Sequence, residues 1–368
     1  MVRRKAQSLA VVLMALALVT VQIHPSSACT EFILKAQDGG FVIGRSLEFG
    51  WNPGYQAVVH PRGEQGSTDA PGGKPGLKWT SKYGFLAFEA FGSGVDGLNE
   101  AGLSIGALYL PGFTKYQDEA AAKHPAAALA ILDVCTWMLG NFETAAQVKD
   151  AVQKIYVWGK PLKEAENQVF PLHISVYDAQ GNGIVIEWVK EGLRIYDHAD
   201  LGVLTNSPPF DWQLINIRNY LNIRAAEVQP VKMGDAVLAP PGQGSGGQGL
   251  PGDWTSPSRL VRAWFMQRYA KPAENAAAGV NLAAHLLNAV DIPLGAIRPA
   301  DNTFKDSDYT MWITIKDLKN KIVYFRTYEN LMLRAIDLNK LDMKPGAPKK
   351  ALDIQGGNEV ADVTGNLK

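Results

Sequence analysis

The 368-residue chain is 46 % hydrophobic and 20 % charged, an ordinary globular composition with ample material for a large core. Thirty-six lysines and arginines balance thirty-six aspartates and glutamates, so the charge gives no reason to expect nucleic acid or an anionic membrane surface as partner. Past the N-terminal leader, no stretch approaches the ~20 consecutive apolar residues of a membrane span. With no CxxC or HExxH among two cysteines and six scattered histidines, neither a metal site nor another cofactor is expected.

Residues 1–28 read as a secretory signal peptide. Arg3, Arg4 and Lys5 form a basic start, an apolar run follows from Leu9 to Val21, and His24-Pro25 breaks it. Ser26-Ser27-Ala28 then puts small residues at the −3 and −1 positions of a cut before Cys29. An exported protein, periplasmic or secreted, is the expectation, with residues 29–368 forming one domain. A cysteine here has other readings. It could bridge to Cys135, although that residue sits in "AILDVCTWMLG" (130–140) and reads as a buried core thiol. It could also be a lipidated anchor, making the chain a periplasmic binding protein. Ser26 at −3 and the intervening His24-Pro25 speak against that.

The mature start predicts a hairpin, with "TEFILKA" (30–36) and "FVIGRSL" (41–47) flanking the turn "QDGG". Residues 61–77, rich in Gly and Pro, read as a surface loop. "GFLAFEAF" (84–91) and "GLSIGALYL" (102–110) read as strands, with 96–102 as the turn between them. Helical periodicity covers 119–139 and 143–155. A second hairpin spans 172–189 around "AQGNG", and helical patterns return at 211–223, 257–270 and 279–290. The Gly-rich stretch 240–253 lacks the Gly-Lys-Ser/Thr of a phosphate loop and reads as a flexible loop closing near a ligand. Strands at 309–317 and 321–328 follow, and the tail after about 343 reads as peripheral. Strand pairs first and last, with helices between, predict an α+β fold of antiparallel sheets.

If export frees Cys29, thiol and α-amine share one residue. Their ordinary pKa values, roughly 8.5 and 7.7–8.0, are closely matched, so the amine can take the thiol proton and return it to a leaving amine. Such a site needs a cation beside the thiol, an anchor for the amine and donors for an oxyanion. Hairpin geometry brings Arg45 beside the Cys29 strand, with Glu48 three residues on. Asn206 stands at a strand end before two prolines. Ser256 reads as a helix N-cap with Pro257 at the first helical position, which puts Arg259 in the first turn, against the helix dipole. That placement points to a purpose such as pairing with a buried carboxylate. A Cys–His amidase using His173 or His198 is the other enzymatic reading.

Six motifs in order carry a resemblance over nearly the whole mature chain: "CTEF" (29–32), "GRSLEF" (44–49), "DGLNEAGLSIGALYLPG" (96–112), "VLTNSPPFDWQL" (203–214), "GLPGDWTSPSRLVRAWF" (249–265) and "DYTMWITIKDLKNKIVYFRTY" (308–328). Together they resemble the choloylglycine hydrolase family of the N-terminal-nucleophile superfamily, which includes penicillin V acylases and bile salt hydrolases. The resemblance implies a four-layer αββα sandwich of two stacked antiparallel sheets, often assembled as a homotetramer. It implies Cys29 as nucleophile with its amine as base, Arg45 beside the thiol, and Asn206 with the Tyr109 backbone N–H as oxyanion donors. Arg259 would complete the network. The family usually has Asp where this chain has Glu48, which reaches one methylene further. Tyr109 is typical of the penicillin acylase side, where bile salt hydrolases commonly have Asn. The expected substrate is a small-molecule acyl amide, of the penicillin V or acyl-homoserine lactone kind, with a conjugated bile salt as the alternative.

Overall fold

In the computed structural model, residues 28–357, 359–362 and 364–366 are described. The leader reading therefore falls, but for Ala28, outside the described residues.

The chain opens as the expected hairpin, β1 (Ala28–Lys35) and β2 (Phe41–Phe49), with Cys29 opposite Leu47 and Glu31 opposite Arg45. Beyond β3 (Gln56–His60), residues 61–77 are not the expected loop. β4 (Gln65–Ala70) and β5 (Lys74–Thr80) pair there, and Gly72 and Gly73, both at positive φ, make the tight return that only glycine adopts without strain. β6 (Phe85–Ala90), β7 (Ser93–Asn99) and β8 (Ser104–Tyr109) form a meander. Most of the expected turn at 96–102 is strand, and the reversal is confined to the residues before Gly102.

Residues 119–139 are not one helix. Pro125 has no N–H to donate and disfavours a helical residue before it, so α1 (Asp118–Lys123) stops short of it. Two 3-10 turns and the short strand β9 (Ala128–Ala130) intervene before α2 (Val134–Asn141). α3 (Ala145–Val152) is capped by the Thr144 hydroxyl, which accepts from the Gln147 N–H, and β10 (Tyr156–Trp158) pairs in parallel with β9. β11 (Leu172–Tyr177), β12 (Gly183–Val189) and β13 (Gly192–Asp197) extend the meander. The two-residue β14 (Val203–Leu204) leads to α4 (Phe210–Asn216) and a 3-10 turn.

A small exposed hairpin, β15 (Val231–Met233) and β16 (Ala236–Leu238), precedes α5 (Ser256–Tyr269) and α6 (Ala276–Asn288). The long strands β17 (Tyr309–Asp317) and β18 (Ile322–Thr327) follow, then β19 (Arg334–Asp337) and β20 (Lys350–Asp353). β20 lies within the tail expected at the periphery. It pairs with β3 at a sheet edge, and Met343 and Ile354 around it are buried.

Two stacked sheets make the frame. One has six strands in the order β14-β1-β2-β17-β18-β19; the other has eight, β13-β12-β11-β8-β7-β6-β3-β20. The alternation along β1 fixes what faces where. Phe32 and Leu34 turn outward and pack with Leu260, Val261 and Ala283 of α5 and α6. Cys29 and Ile33 turn inward, into the core shared with the eight-stranded sheet. α2 and α3 cover the far side of that second sheet, so the implied αββα sandwich is the fold observed. Strands buried on both faces, such as β12, explain the continuous apolar run "GIVIEWV". Each large apolar side chain buried this way stabilises the fold by roughly 1.5–3 kcal/mol.

Candidate active site

Cys29 sits at the inward-facing start of β1, buried, in the wall of an apolar pocket. Five aromatic rings form a closed circuit around that pocket. Phe49 contacts Trp51 at 5.3 Å, Trp51 contacts Phe91 at 5.1 Å, Phe91 contacts Phe170 at 6.0 Å, Phe170 contacts Tyr109 at 6.0 Å and Tyr109 returns to Phe49 at 6.3 Å. Phe91 holds its place at φ 54°, in a two-residue turn with Gly92, where Asn is the favoured residue and a bulky side chain is strained.

The polar network begins at the Cys29 backbone. Its α-nitrogen donates to Asn206 Oδ1 at 2.6 Å, and the same oxygen accepts from Arg259 Nη2 at 2.7 Å. Arg259 Nη1 donates to the Cys29 carbonyl and to Thr30 Oγ1, both at 2.6 Å, while Nε donates to the Trp254 carbonyl at 3.0 Å. The guanidinium is thus buried against neutral oxygens, and the expected direct partnership with a carboxylate is replaced by a longer-range attraction to Glu48. Burial lowers the Arg259 pKa, and Glu48 opposes that shift.

The Asn206 amide is fixed from both sides. Nδ2 donates to the Tyr109 carbonyl at 2.9 Å, and the Asn206 backbone N–H donates to Ser256 Oγ at 2.9 Å. Ser256 is therefore not the helix N-cap. Thr255 takes that position, Ser256 opens the helix, and its hydroxyl serves the Asn206 and Thr205 segment instead. Tyr109 ends β8. Because the Leu110 N–H donates to the Pro171 carbonyl, the strand's alternation turns the Tyr109 amide group away from β11.

Arg45 shares the inward face of β2 with Leu47, the residue opposite Cys29. Burial raises the Cys29 thiol pKa, and the Arg45 charge is the largest influence pulling it back. Glu48 alternates to the other face, across from Ala28. Its Oε1 accepts from Thr310 Oγ1 at 2.9 Å, whereas Oε2 has no hydrogen-bond partner among the described residues. Burial pushes Glu48 up to about 7, against the opposing pull of Arg259, Ser46 and Thr310.

All six predicted residues, Cys29, Arg45, Glu48, Tyr109, Asn206 and Arg259, thus gather around Cys29, and Cys29, Glu48 and Tyr109 line the pocket. Thr30, Ser256 and Thr310 join them. A single hydroxyl in a strand or at a helix start carries no distinctive pattern, which is why the sequence did not single them out for this purpose.

The competing readings of the cysteine fare differently. Cys29 and Cys135 are both free thiols, so the bridge is absent. The two ring nitrogens of His173 are engaged elsewhere, Nδ1 at 2.9 Å from Glu187 Oε1 and Nε2 at 2.9 Å from the Thr205 carbonyl. His198 is buried against Tyr177 and Phe210, with no hydrogen-bond partner for either nitrogen among the described residues. Neither histidine lines the Cys29 pocket. Nor does the Gly-rich stretch 240–253, which packs back on the 224–226 segment.

Comparison with known proteins gives the family. The profile of linear amide C–N hydrolases, choloylglycine hydrolase family, matches residues 29–358. A bile salt hydrolase/transferase of Clostridium perfringens is 31 % identical over 316 residues, 85 % of this chain and 93 % of that protein. A crystal structure of a mutant conjugated bile acid hydrolase from Clostridium perfringens superposes with a TM-score of 0.80 at 29 % identity, covering 91 % of this chain and all of that one. The structure of penicillin V acylase from Agrobacterium tumefaciens gives 0.70 at 27 % identity, over 88 % of this chain and 91 % of the other. With its family profile spanning the sandwich and the whole Cys29 network, the chain belongs to the choloylglycine hydrolase family of linear amide C–N hydrolases.

Proposed function

We propose that the exported, processed protein is a cysteine amidase that cleaves a small-molecule acyl amide through an acyl-thioester on Cys29. The observation that carries this reading is the Cys29 residue itself: its thiol opens on the aromatic pocket while its α-nitrogen is bonded to an Asn206 oxygen also held by Arg259.

In this mechanism the α-amine takes the thiol proton and the thiolate attacks the amide carbonyl. The tetrahedral oxyanion is met by Asn206 Nδ2 and the Tyr109 N–H. The C–N bond breaks as the α-ammonium gives its proton to the departing amine. Water then attacks the thioester, losing its proton to the α-amine, and the carboxylic acid leaves as the thiol is restored. Arg45 favours the thiolate, Glu48 balances the positive charge formed on the amine, and Arg259 keeps Asn206 oriented. No cofactor takes part.

The pocket selects an apolar acyl group. Phe49, Phe91, Phe170 and Leu172 offer it flat and branched surfaces with few polar contacts. Aryl and aliphatic acyl chains of the penicillin V or acyl-homoserine lactone kind fit such a lining. A conjugated bile salt is the second reading, favoured by the 31 % identity to the Clostridium perfringens enzyme. Hydrolysis rates for penicillin V, glycine- and taurine-conjugated bile salts and acyl-homoserine lactones of graded length separate these readings. Preference for the aryl or homoserine lactone amides supports the first, and preference for the bile salts overturns it. We further propose a homo-oligomer, a homotetramer by family resemblance. The β15–β16 hairpin leaves Val231, Met233 and Val237 exposed at 56, 62 and 65 %, an apolar tip suited to a second copy of the chain.

A further inference from the structure

Behind Cys29 lies a buried cluster of four charged side chains, Glu31, Arg45, Asp96 and Lys316, each 0 % exposed. Strand register assembles it. Glu31 is directly opposite Arg45, Arg45 is opposite Thr314, and Lys316 follows two residues on, on the same face; Asp96 enters from the facing sheet. The Lys316 ammonium donates to Asp96 Oδ1 and stands 3.6 Å from Glu31 Oε1. The Thr314 hydroxyl donates to Asp96 Oδ2, and the Ser175 hydroxyl donates to Glu31 Oε2. The opposite sheet makes room for this carboxylate. A Cβ at Gly106 would collide with Glu31 Oε2.

Arg45 is the cation nearest the thiol, yet it is not clasped by a carboxylate. Its Nη1 stays 3.6 Å from Asp96, its short hydrogen bonds go to the carbonyls of Val95 and Ala107, and its Nε has no hydrogen-bond partner among the described residues. A bidentate carboxylate there would cancel the field Arg45 exerts on the thiol. Leaving the arginine buried with no counter-charge would be costly. The cluster resolves both demands, since two positive and two negative groups sum to zero while the closest ion pair belongs to Lys316. We propose that Lys316 and Glu31 are positioning residues for the reaction: Lys316 engages both carboxylates, and Arg45 is thereby left aimed at Cys29. The proposal rests on Cys29 as the nucleophile.

Burial works against the Arg45 charge, but Asp96, Cys29 and Glu31 outweigh it and hold the guanidinium above its usual pKa. Other ionisable groups lie close enough to act on the thiol: Glu48 from β2, Arg259 from α5, Tyr55 ahead of β3 and Tyr109 from β8. Cys135 from α2 and Tyr177 from β11 face the cluster itself. Substitution of Lys316 or Glu31 leaves all of these in place.

The test is the pH dependence of Cys29 alkylation by iodoacetamide in the purified enzyme, followed by peptide mass, beside the pH profile of kcat/KM. Lys316→Met leaves a net negative cluster and should move the thiol midpoint up by about one pH unit; Glu31→Gln leaves a net positive one and should move it down by a similar amount. The double variant restores neutrality and should return the midpoint to within about 0.3 unit of the wild type. It also keeps the test alive if Lys316→Met does not fold. Midpoints unmoved in the single variants, moved in one shared direction, or not restored in the double variant overturn the proposal. Alkylation of Cys29 that leaves amide hydrolysis intact would instead overturn the nucleophile reading, whatever the midpoints do.

Discussion

Asn206 offers the sharpest separation of catalysis from structure. Its side chain accepts from the Cys29 α-nitrogen and from Arg259, and donates to the Tyr109 carbonyl. Asn206→Ala removes all three bonds and strands buried groups that water cannot reach. At about 1 kcal/mol or more for each group left unpaired, roughly 3 kcal/mol of stability should go. The lost oxyanion donor should lower kcat by a further 10²–10³, about 2.7–4 kcal/mol in the transition state. Asn206→Asp divides the two effects. A carboxylate keeps both acceptor contacts and adds an ion pair with Arg259, so urea unfolding should show a smaller loss than for alanine. It has no N–H to offer and repels an oxyanion, so kcat should fall at least as far as in Asn206→Ala. Both variants are measured by amide hydrolysis under saturating substrate and by urea titration at pH 7. An aspartate variant within about threefold of wild-type kcat would refute the donor role.

Glu48 makes a pH prediction for the chain that still carries Ala28. Burial raises its folded pKa to about 7 from 4.5, so the folded chain binds the extra proton between those values. Stability should therefore fall as pH rises through that window, by about 3 kcal/mol in all, and Glu48→Gln should flatten the slope in urea titrations from pH 4.5 to 7. Histidine chemistry is checked by two variants. His198→Phe should keep hydrolysis within about threefold, while His173→Gln, which disturbs the carbonyl beside Asn206, should slow it without abolishing it. Loss of all activity in His198→Phe would favour a Cys–His pair. For assembly, Val231→Asp with Val237→Asp should reduce the mass seen by light scattering while the monomer stays folded, and an unchanged mass would exclude the hairpin as the contact.

The parts of this protein legible in its sequence are those governed by short-range rules. Alternation and a glycine turn sufficed for the β1–β2 hairpin, and with it for Arg45 beside the Cys29 strand. A strand end before two prolines and a helix start likewise flagged Asn206 and Arg259, Glu48 followed from its place after Arg45, and the resemblance added Tyr109 and the roles of the set. What escaped depended on tertiary context. An Ala-rich run reads as one helix until Pro125 interrupts it and β9 finds a partner in β10. Residues 65–80 lack the apolar alternation of a strand pair, because the buried positions of that hairpin are Thr68, Ala70 and Gly76 and not large apolar side chains. Glu31 and Lys316 look like ordinary surface charges in "CTEF" and "ITIKD"; only the stacking of two sheets brings them together. Arg259 was expected to need a carboxylate, but its partners are backbone and amide oxygens that no local pattern reveals.

The most direct measurement is N-terminal sequencing, with intact mass, of catalytically active material purified from the exporting cell. Cleavage after Ala28 predicts a first residue Cys29 with an unblocked amine, and a Cys29→Ala protein of the same length that folds but does not hydrolyse amides. Active material that begins at another residue, or carries an acylated Cys29 amine, would contradict the account.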